Sequence, residues 1–482
     1  VTVRTRFAPS PTGALHLGNI RAAVFNWLFT RHEQGSFVLR LEDTDIERNV
    51  AGAEDSLMHD LRWLGLEWDE GPDIGGPHAP YRQSERAGAY RAAAARLLEL
   101  GTAYRCFCDE DEAQPQELDR NDPGFRRYSG RCRALSADEA RTRAEAGEPF
   151  AVRLRTPAEG EIEVDDAVRG TICAPAADLD DFVLLRRDGR PTYNFAVVVD
   201  DIDMKITHVI RGSGHLSNTP KQALLFDAFG APRPGFAHLA QVLDPEGGKL
   251  SKRAGATSVA EYREHGCLPK AIMNYVSLLG WSHPDEQEVL EVDELIRTAS
   301  LERLGASDTA LDPEKLRWVG AQHLARLSAA EVAAGVAPFL DRPDSPAASW
   351  TAEQRSEAIE TLRSRLSCFG DIEHHLHFFV MDAELWQTHR DEVVAVESCG
   401  PVLQALAQHL PAVHWNSVDL KSTLKQVSSE TGARGPALYH PVRWALTGRT
   451  DGPDLSRIAF VIGRESALDR VNAALRACAS ER

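Results

Sequence analysis

Lysine is scarce in this chain. Of 54 basic residues, 8 are Lys and 46 are Arg, and no Lys precedes Lys205. Positive charge is short overall, because 72 acidic residues leave a net −18 at pH 7. That balance excludes a protein that coats nucleic acid by bulk charge, although not a local basic surface on an acidic body. Cysteine is sparse, with 8 in 482 residues, too few for a disulfide framework, so a reducing cytoplasm is expected. Apolar runs such as Ala22–Phe29 fall far short of the roughly 20 residues that span a bilayer. The segment Val1–Gly13 holds two Arg and two Pro and lacks the apolar core of a signal peptide. Internal repeats and long low-complexity tracts are also missing.

What is there is an ordinary globular composition. Hydrophobic residues make up 43% and charged residues 26%, enough apolar mass for several cores. At about 100–200 residues per domain, the length suggests three or four domains. Thr2–Ala8 reads as a strand, followed by a Pro/Gly loop and a helical pattern at Ile20, Val24, Trp27 and Leu28. Phe37–Leu41 reads as a second strand and Ala53–Leu64 as a helix. This β-α-β-α order predicts a parallel, Rossmann-like sheet. A helix over Gln83–Leu100 and strand-like runs at Ala151–Arg155, Glu161–Val164, Thr171–Cys173 and Phe182–Arg186 predict an inserted α+β module. Phe195–Val199 reads as a buried parallel strand of the resumed first domain. Beyond Thr257 the pattern is helical, with Pro338–Ser349 as a hinge. The fold class expected is therefore an α/β N-terminal half followed by an all-α C-terminal half.

Two motifs bear on chemistry. His16-Leu17-Gly18-Asn19 lies between strand and helix, where free N–H groups and the dipole favour a phosphate. His16 and Asn19 would add donors as charge develops on a transferring phosphate. A helix-start loop with an incidental His is the plainer alternative. Lys249-Leu250-Ser251-Lys252-Arg253, after Gly247-Gly248, suits a clamp for polyphosphate and holds two of the 8 Lys. A solvated basic loop is the alternative there.

Together the two motifs resemble the signatures of class I aminoacyl-tRNA synthetases. Longer blocks resemble the glutamyl-tRNA synthetase family: Arg6-Phe7-Ala8-Pro9-Ser10-Pro11-Thr12-Gly13, Arg40-Leu41-Glu42-Asp43-Thr44-Asp45, Tyr81-Arg82-Gln83-Ser84-Glu85-Arg86 and Pro191-Thr192-Tyr193-Asn194-Phe195. The likeness continues through Leu278-Leu279-Gly280-Trp281-Ser282 and Asp312-Pro313-Glu314-Lys315 to Pro441-Val442-Arg443-Trp444. It implies ATP-dependent ligation of L-glutamate to tRNA(Glu) through a glutamyl-adenylate, with Mg²⁺ accompanying ATP. It implies that His16 and Asn19 bind ATP phosphates, and that Lys249 and Lys252 stabilise the leaving pyrophosphate. Arg6, Tyr193 and Arg211 are implied at the substrate's side-chain carboxylate, and Ser10 and Glu42 at its ammonium. The resemblance further implies a monomer in the cytoplasm, without a membrane partner.

The same likeness divides the chain into a catalytic domain (1–80 and 188–256), an inserted acceptor-binding module (81–187), a stem-contact domain (257–325) and an anticodon-binding domain (326–482). Cys106, Cys108 and Cys132 lie within 27 residues and suggest Zn²⁺. Some bacterial members place a Tyr as fourth ligand, here Tyr128, while three Cys with a water or another donor remains open, and a metal-free loop with reduced thiols is the plainer alternative. Arg126, Arg127, Arg131 and Arg133 in this module would suit phosphate contact. Arg363, Arg365 and Arg443 are implied at the anticodon. One departure stands out. Arg211-Gly212-Ser213-Gly214-His215 has Gly214 where the family has an acidic residue that contacts the ribose. That departure keeps a non-charging paralogue in play. A glutaminyl-tRNA synthetase is disfavoured by the helical C-terminal half, and a truncated tRNA-modifying relative by the length. The other five Cys, including Cys267, Cys368, Cys399 and Cys478, read as isolated core or surface residues.

Overall fold

The computed structural model describes residues 2–45, 49–108, 128, 130–248 and 258–479. They form two compact units, one from 1–261 with 272–313 and one from 262–271 with 314–482.

In the first unit, β1 (Arg4–Phe7) leads through α1 (Leu17–His32) to β2 (Ser36–Leu39), which pairs in parallel with β1 from Arg4 opposite Ser36 to Phe7 opposite Leu39. The helix α1 is buried on several faces, at Leu17, Ile20, Val24, Trp27 and Leu28 among others, as a helix between a sheet and a further layer must be. Arg31 and His32 in its last turn complement the dipole. The hairpin β3 (Glu161–Asp166) and β4 (Gly170–Pro175) is antiparallel, and β3 alternates to bury Ile162, Val164 and Asp166. After α2 (Tyr193–Asp203), β5 (His208–Gly212), α3 (Thr219–Phe229) and β6 (Gly235–Leu239) form a second parallel unit. Thr207 N donates to Arg4 O at 2.9 Å and ties β1 to the start of β5, so parallel strands run in the order β2-β1-β5-β6. Asp166 pairs with Phe236, so the hairpin that the sequence groups with the insert extends this sheet at β6. Between β2 and β5, the antiparallel strands Ala103–Cys106, Ala151–Leu154 and Val183–Leu185 follow the helix Ala87–Glu99.

Phe195–Val199 is not a strand. It forms most of α2, with Phe195 through Asp201 all buried. A short apolar run carries no period that separates a buried strand from a buried helix, and burial here overrides the β preference of three consecutive Val. The expected hinge also starts later, because the helix Ala329–Leu340 runs through Pro338.

The second unit is all helical, and its longer helices include Ala352–Leu362, Cys399–His409, Ser417–Thr431, Pro436–Thr447 and Arg464–Ala479. Capping boxes Ser328/Glu331 and Thr351/Gln354 start two of its helices. Trp444, fully buried, stacks on Trp386 at 4.7 Å and donates its indole N–H to Trp386 O at 2.7 Å. No helix among the described residues is long and apolar enough to cross a membrane.

Candidate active site

A cavity of about 870 Å³ opens above the ends of β1 and β5, where a parallel sheet leaves room for ligand. Arg6, Ser10, His16, Asn19, Glu42, Tyr193 and Arg211 all line it. These are seven of the nine residues expected at the active site. Lys249 and Lys252 lie outside the described residues.

The start of α1 is fixed by a reciprocal cap. His16 N donates to Asn19 Oδ1 at 2.7 Å, and Gly18 N donates to His16 Nδ1 at 3.1 Å. His16 Nδ1 is thus an acceptor without a proton, which places the neutral ring's proton on Nε2. Asn19 uses its carbonyl oxygen on the cap and keeps its amide N–H groups as donors.

Beneath the cavity lies a buried charge network. Arg6 Nε donates to Asp201 Oδ1 at 3.2 Å, and Arg40 Nη1 donates to the same oxygen at 2.6 Å. Arg40 also lies 3.5 Å from Glu42 and 3.8 Å from Asp200. Asp200 accepts from Arg86 at 2.6 Å, Gln83 at 2.8 Å and Tyr90 at 3.0 Å. Burial disfavours charge on Asp201, but Arg6 and Arg40 outweigh it and hold the carboxyl below the usual range. Glu42 differs. Burial pushes it up to about 7, despite Arg40 and Arg6.

Arg211 is held by another set. Its Nε donates to His238 Nε2 at 3.0 Å, Nη1 to Gln222 Oε1 at 2.7 Å and Nη2 to Thr219 Oγ1 at 2.9 Å. His238 Nδ1 donates in turn to Asp166 Oδ2 at 2.6 Å. Burial lowers the Arg211 pKa. Tyr193 OH meets His215 Nδ1 at 3.0 Å, and burial with Arg211 and Arg6 nearby lowers His215 to about 4. A Cβ at Gly214 would meet no atom within 4 Å. Sequence reasoning missed Asp200, Asp201, Asp166, His238, Gln222 and Thr219. The acidic pair Asp200-Asp201 directly after an apolar run was a usable signal, since buried carboxylates require cationic partners.

The cysteine cluster also assembles. Cys106 ends its strand, Cys132 lies in the turn Arg131–Ala134, and the sulfurs of Cys106, Cys108 and Cys132 lie within 4.8 Å of one another. Cys108 and Cys132 sulfurs are 3.4 Å apart, and Tyr128 OH lies 3.2 Å from Cys106 Sγ and 3.7 Å from Cys108 Sγ. Tetrahedral zinc at about 2.3 Å from sulfur spaces its ligands by roughly 3.5–3.8 Å, so this donor set fits the ion. The guanidinium of Arg153 sits 3.9 Å from the Tyr128 ring.

The remaining basic residues separate. Arg133 is paired internally with Asp181 at 2.6 Å, and Arg363 bonds the main-chain oxygens of Ala325 and Leu327. Arg365 lines a cavity of about 440 Å³ with Trp318, and Arg443 lines one of about 310 Å³ with Lys421, Lys425 and Tyr439. Arg126 and Arg127 lie outside the described residues. Four of the five other cysteines are paired in space. Cys399 and Cys478 sulfurs lie 3.1 Å apart, the Cys267 thiol is hydrogen-bonded to Cys368, and Cys173 is exposed.

Comparisons with known proteins agree with this architecture. Residues 2–318 match the catalytic domain of class I tRNA synthetases (E and Q), and residues 331–475 match an anticodon binding domain. The chain is 43% identical to a glutamate–tRNA ligase of Heliobacterium modesticaldum, over 98% of this chain and 96% of that one. It is 44% identical to the corresponding ligase of Desulforudis audaxviator, again over 98% and 96%. Its fold is similar to the crystal structure of a glutamate tRNA ligase from Elizabethkingia meningosepticum in complex with its amino acid, with a TM-score of 0.87, 32% identity and 99% coverage of each chain.

Proposed function

The chain belongs to the glutamate–tRNA ligase family of class I tRNA synthetases, and on that premise we propose a division of labour within its cavity. The enzyme ligates L-glutamate to tRNA(Glu) using ATP. A glutamate carboxylate oxygen attacks the α-phosphorus of ATP, forming glutamyl-adenylate and releasing pyrophosphate. The 2′-OH of the terminal adenosine then attacks the activated carbonyl, forming the ester, and AMP leaves.

Arg211 and Arg6 receive the side-chain carboxylate, with Tyr193 beside them, and Glu42 with Ser10 receives the ammonium. Arg forks match a carboxylate with two parallel bonds, and glutamine would leave such a pair incomplete. His16 Nε2 and the Asn19 amide donate to ATP phosphates at the positive end of α1, while Lys249 and Lys252 meet the departing pyrophosphate. Mg²⁺ would accompany ATP and would neutralise phosphate charge there. Cys106, Cys108, Cys132 and Tyr128 would hold one Zn²⁺, which supplies structural cross-linking to the acceptor-binding module. Segments 81–187, 257–325 and 326–482 serve the acceptor end, the stem and the anticodon, with Arg126, Arg127, Arg365 and Arg443 as contacts. Arg363 would reach RNA with the part of its fork not committed to main-chain oxygens. The protein acts as a cytoplasmic monomer.

The observation that carries this reading is the convergence of Arg6, Glu42, Arg211 and the His16–Asn19 helix start on one cavity. The test is glutamate-dependent ATP–pyrophosphate exchange with and without tRNA(Glu). Exchange that requires tRNA is the expected result. No exchange under either condition, in folded protein that still binds tRNA, would favour the non-charging paralogue to which Gly214 points.

A further inference from the structure

We propose that the helical unit carries a second metal site, of the zinc class, built from His265, Cys368 and Asp371, with Cys267 beside Cys368. Two turns about a hundred residues apart create it, His265-Gly266-Cys267 and Cys368-Phe369-Gly370-Asp371. Their backbones are joined directly. Phe369 N donates to Gly266 O at 3.1 Å, and Gly370 N donates to His265 O at 3.0 Å. The approach depends on glycine, because a Cβ at Gly370 would lie 2.6 Å from His265 O.

The side chains then converge. The ligand atoms of His265, Cys368 and Asp371 all lie within 4.8 Å of one another, with His265 Nε2 3.3 Å from Asp371 Oδ1. The Cys267 thiol is hydrogen-bonded to that of Cys368 and stands beside this cluster, outside it. Asp371 is oriented from behind. Its Oδ2 accepts from Ser367 N at 2.8 Å and Cys368 N at 3.1 Å, which turns Oδ1 toward His265. This is the outer-sphere support a ligating carboxylate needs. Cys368 is buried while His265 and Asp371 are partly exposed, so an ion has a path in.

The donor chemistry selects the ion. One sulfur, one imidazole and one carboxylate with a fourth position open suit four-coordinate zinc, whereas magnesium and calcium prefer all-oxygen sets. An ion pair between His265 and Asp371 would account for 3.3 Å between them, but not for the buried thiol of Cys368 brought to the same spot. The bound ion would cross-link segment 262–271 to the turn whose Ser367 and Asp371 form one wall of the cavity that contains Arg365.

The test is zinc content per chain of the full-length protein, purified under reducing conditions without chelator. His265→Ala and Cys368→Ser should each lose one equivalent relative to the parent, whatever the Cys106 cluster holds. Cys108→Ser should leave that equivalent in place. Cobalt added to chelated Cys108→Ser protein should give thiolate-to-metal charge-transfer absorption that a further Cys368→Ser removes. His265 is partly exposed, so its variant decides the matter if Cys368→Ser misfolds by circular dichroism. Zinc content unchanged in His265→Ala, absence of the cobalt band, or a Cys267–Cys368 disulfide in place of metal would each overturn the proposal.

Discussion

Two sides of the cavity present an arginine to the same space and support it by opposite means. On the β1 side, Arg6 is already paired with Asp201 and belongs to a network in which Arg6, Arg40 and Arg86 face Glu42, Asp200 and Asp201. On the β5 side, Arg211 donates, among the described residues, to neutral acceptors, His238, Gln222, Thr219 and the main-chain oxygen of His215. A guanidinium that already holds a carboxylate offers an incoming anion little uncompensated charge. One held by neutral groups keeps its full charge in a poorly solvated place, where it is costly until a counterion arrives. In the proposed division of labour, Arg6 is thus a fixed frame, and Arg211 is the anchor that gains most when the substrate carboxylate binds.

The largest expected effect is on the frame. Asp201→Asn leaves Arg6 and Arg40 without their shared counterion, and breaking a buried pair costs about 3–5 kcal/mol of stability. Denaturant unfolding at pH 7 measures it. Because the folded pKa of Asp201 is depressed, its contribution is fully present above about pH 4, the unfolded carboxylate range, and is lost as pH falls through the folded pKa. A variant as stable as the parent would remove the reason for treating Arg6 as framed. Next comes the anchor. Arg211→Ala should lower kcat/KM for glutamate by roughly 100-fold or more, the equivalent of about 3 kcal/mol, with smaller loss of stability than Asp201→Asn. If Arg6→Ala costs more glutamate affinity than Arg211→Ala at equal folding, the comparison is reversed.

These two sides also differ in how far the sequence reveals them. Arg6, Glu42 and Arg211 are legible because each stands in a long motif beside a strand end. The helix start is legible because His16 and Asn19 are three apart, the spacing a reciprocal cap requires. The partners are not legible. Nothing local ties Arg211 to His238, 27 residues on, or His238 to Asp166, 72 residues back, since only the pairing of β3, β5 and β6 brings them together. The same limit applies to Cys267 and Cys368, which a linear reading leaves as singles. Phe195–Val199 fails for another reason. Its five apolar residues suit a buried strand and a buried helix alike, and only the acidic residues that follow, facing Arg6, Arg40 and Arg86, distinguish the two.

Glu42 sharpens the comparison through pH. It lies at the edge of the frame, 3.5 Å from Arg40, yet burial pushes its pKa up to about 7. In the proposed role, only its charged form attracts the substrate ammonium. The kcat/KM for glutamate, which reports the free enzyme, should therefore fall as pH drops below about 7, by about tenfold at pH 6. Glu42→Gln should be slower throughout and lose this dependence. A parent profile flat from pH 6 to 8 would place the ammonium elsewhere.

The smallest effect tests the neutral support itself. His238 can accept from Arg211 at Nε2 only while its proton sits on Nδ1, and the 2.6 Å bond to Asp166 holds it there. Burial with Arg211 beside it keeps the His238 pKa below the ordinary range, so the acceptor persists under neutral conditions. His238→Phe removes one acceptor and leaves Gln222 and Thr219 to hold the fork. Losing one such bond is worth about 1 kcal/mol, so KM for glutamate should rise roughly fivefold with kcat little changed. A purely structural role would instead lower the melting temperature and leave KM alone. His238→Gln, whose amide oxygen can still accept from Arg211, should recover part of the loss. Were His238→Phe to match Arg211→Ala, the imidazole would be more than a support, and the contrast between a charged frame and a neutrally held anchor would have to be redrawn around it.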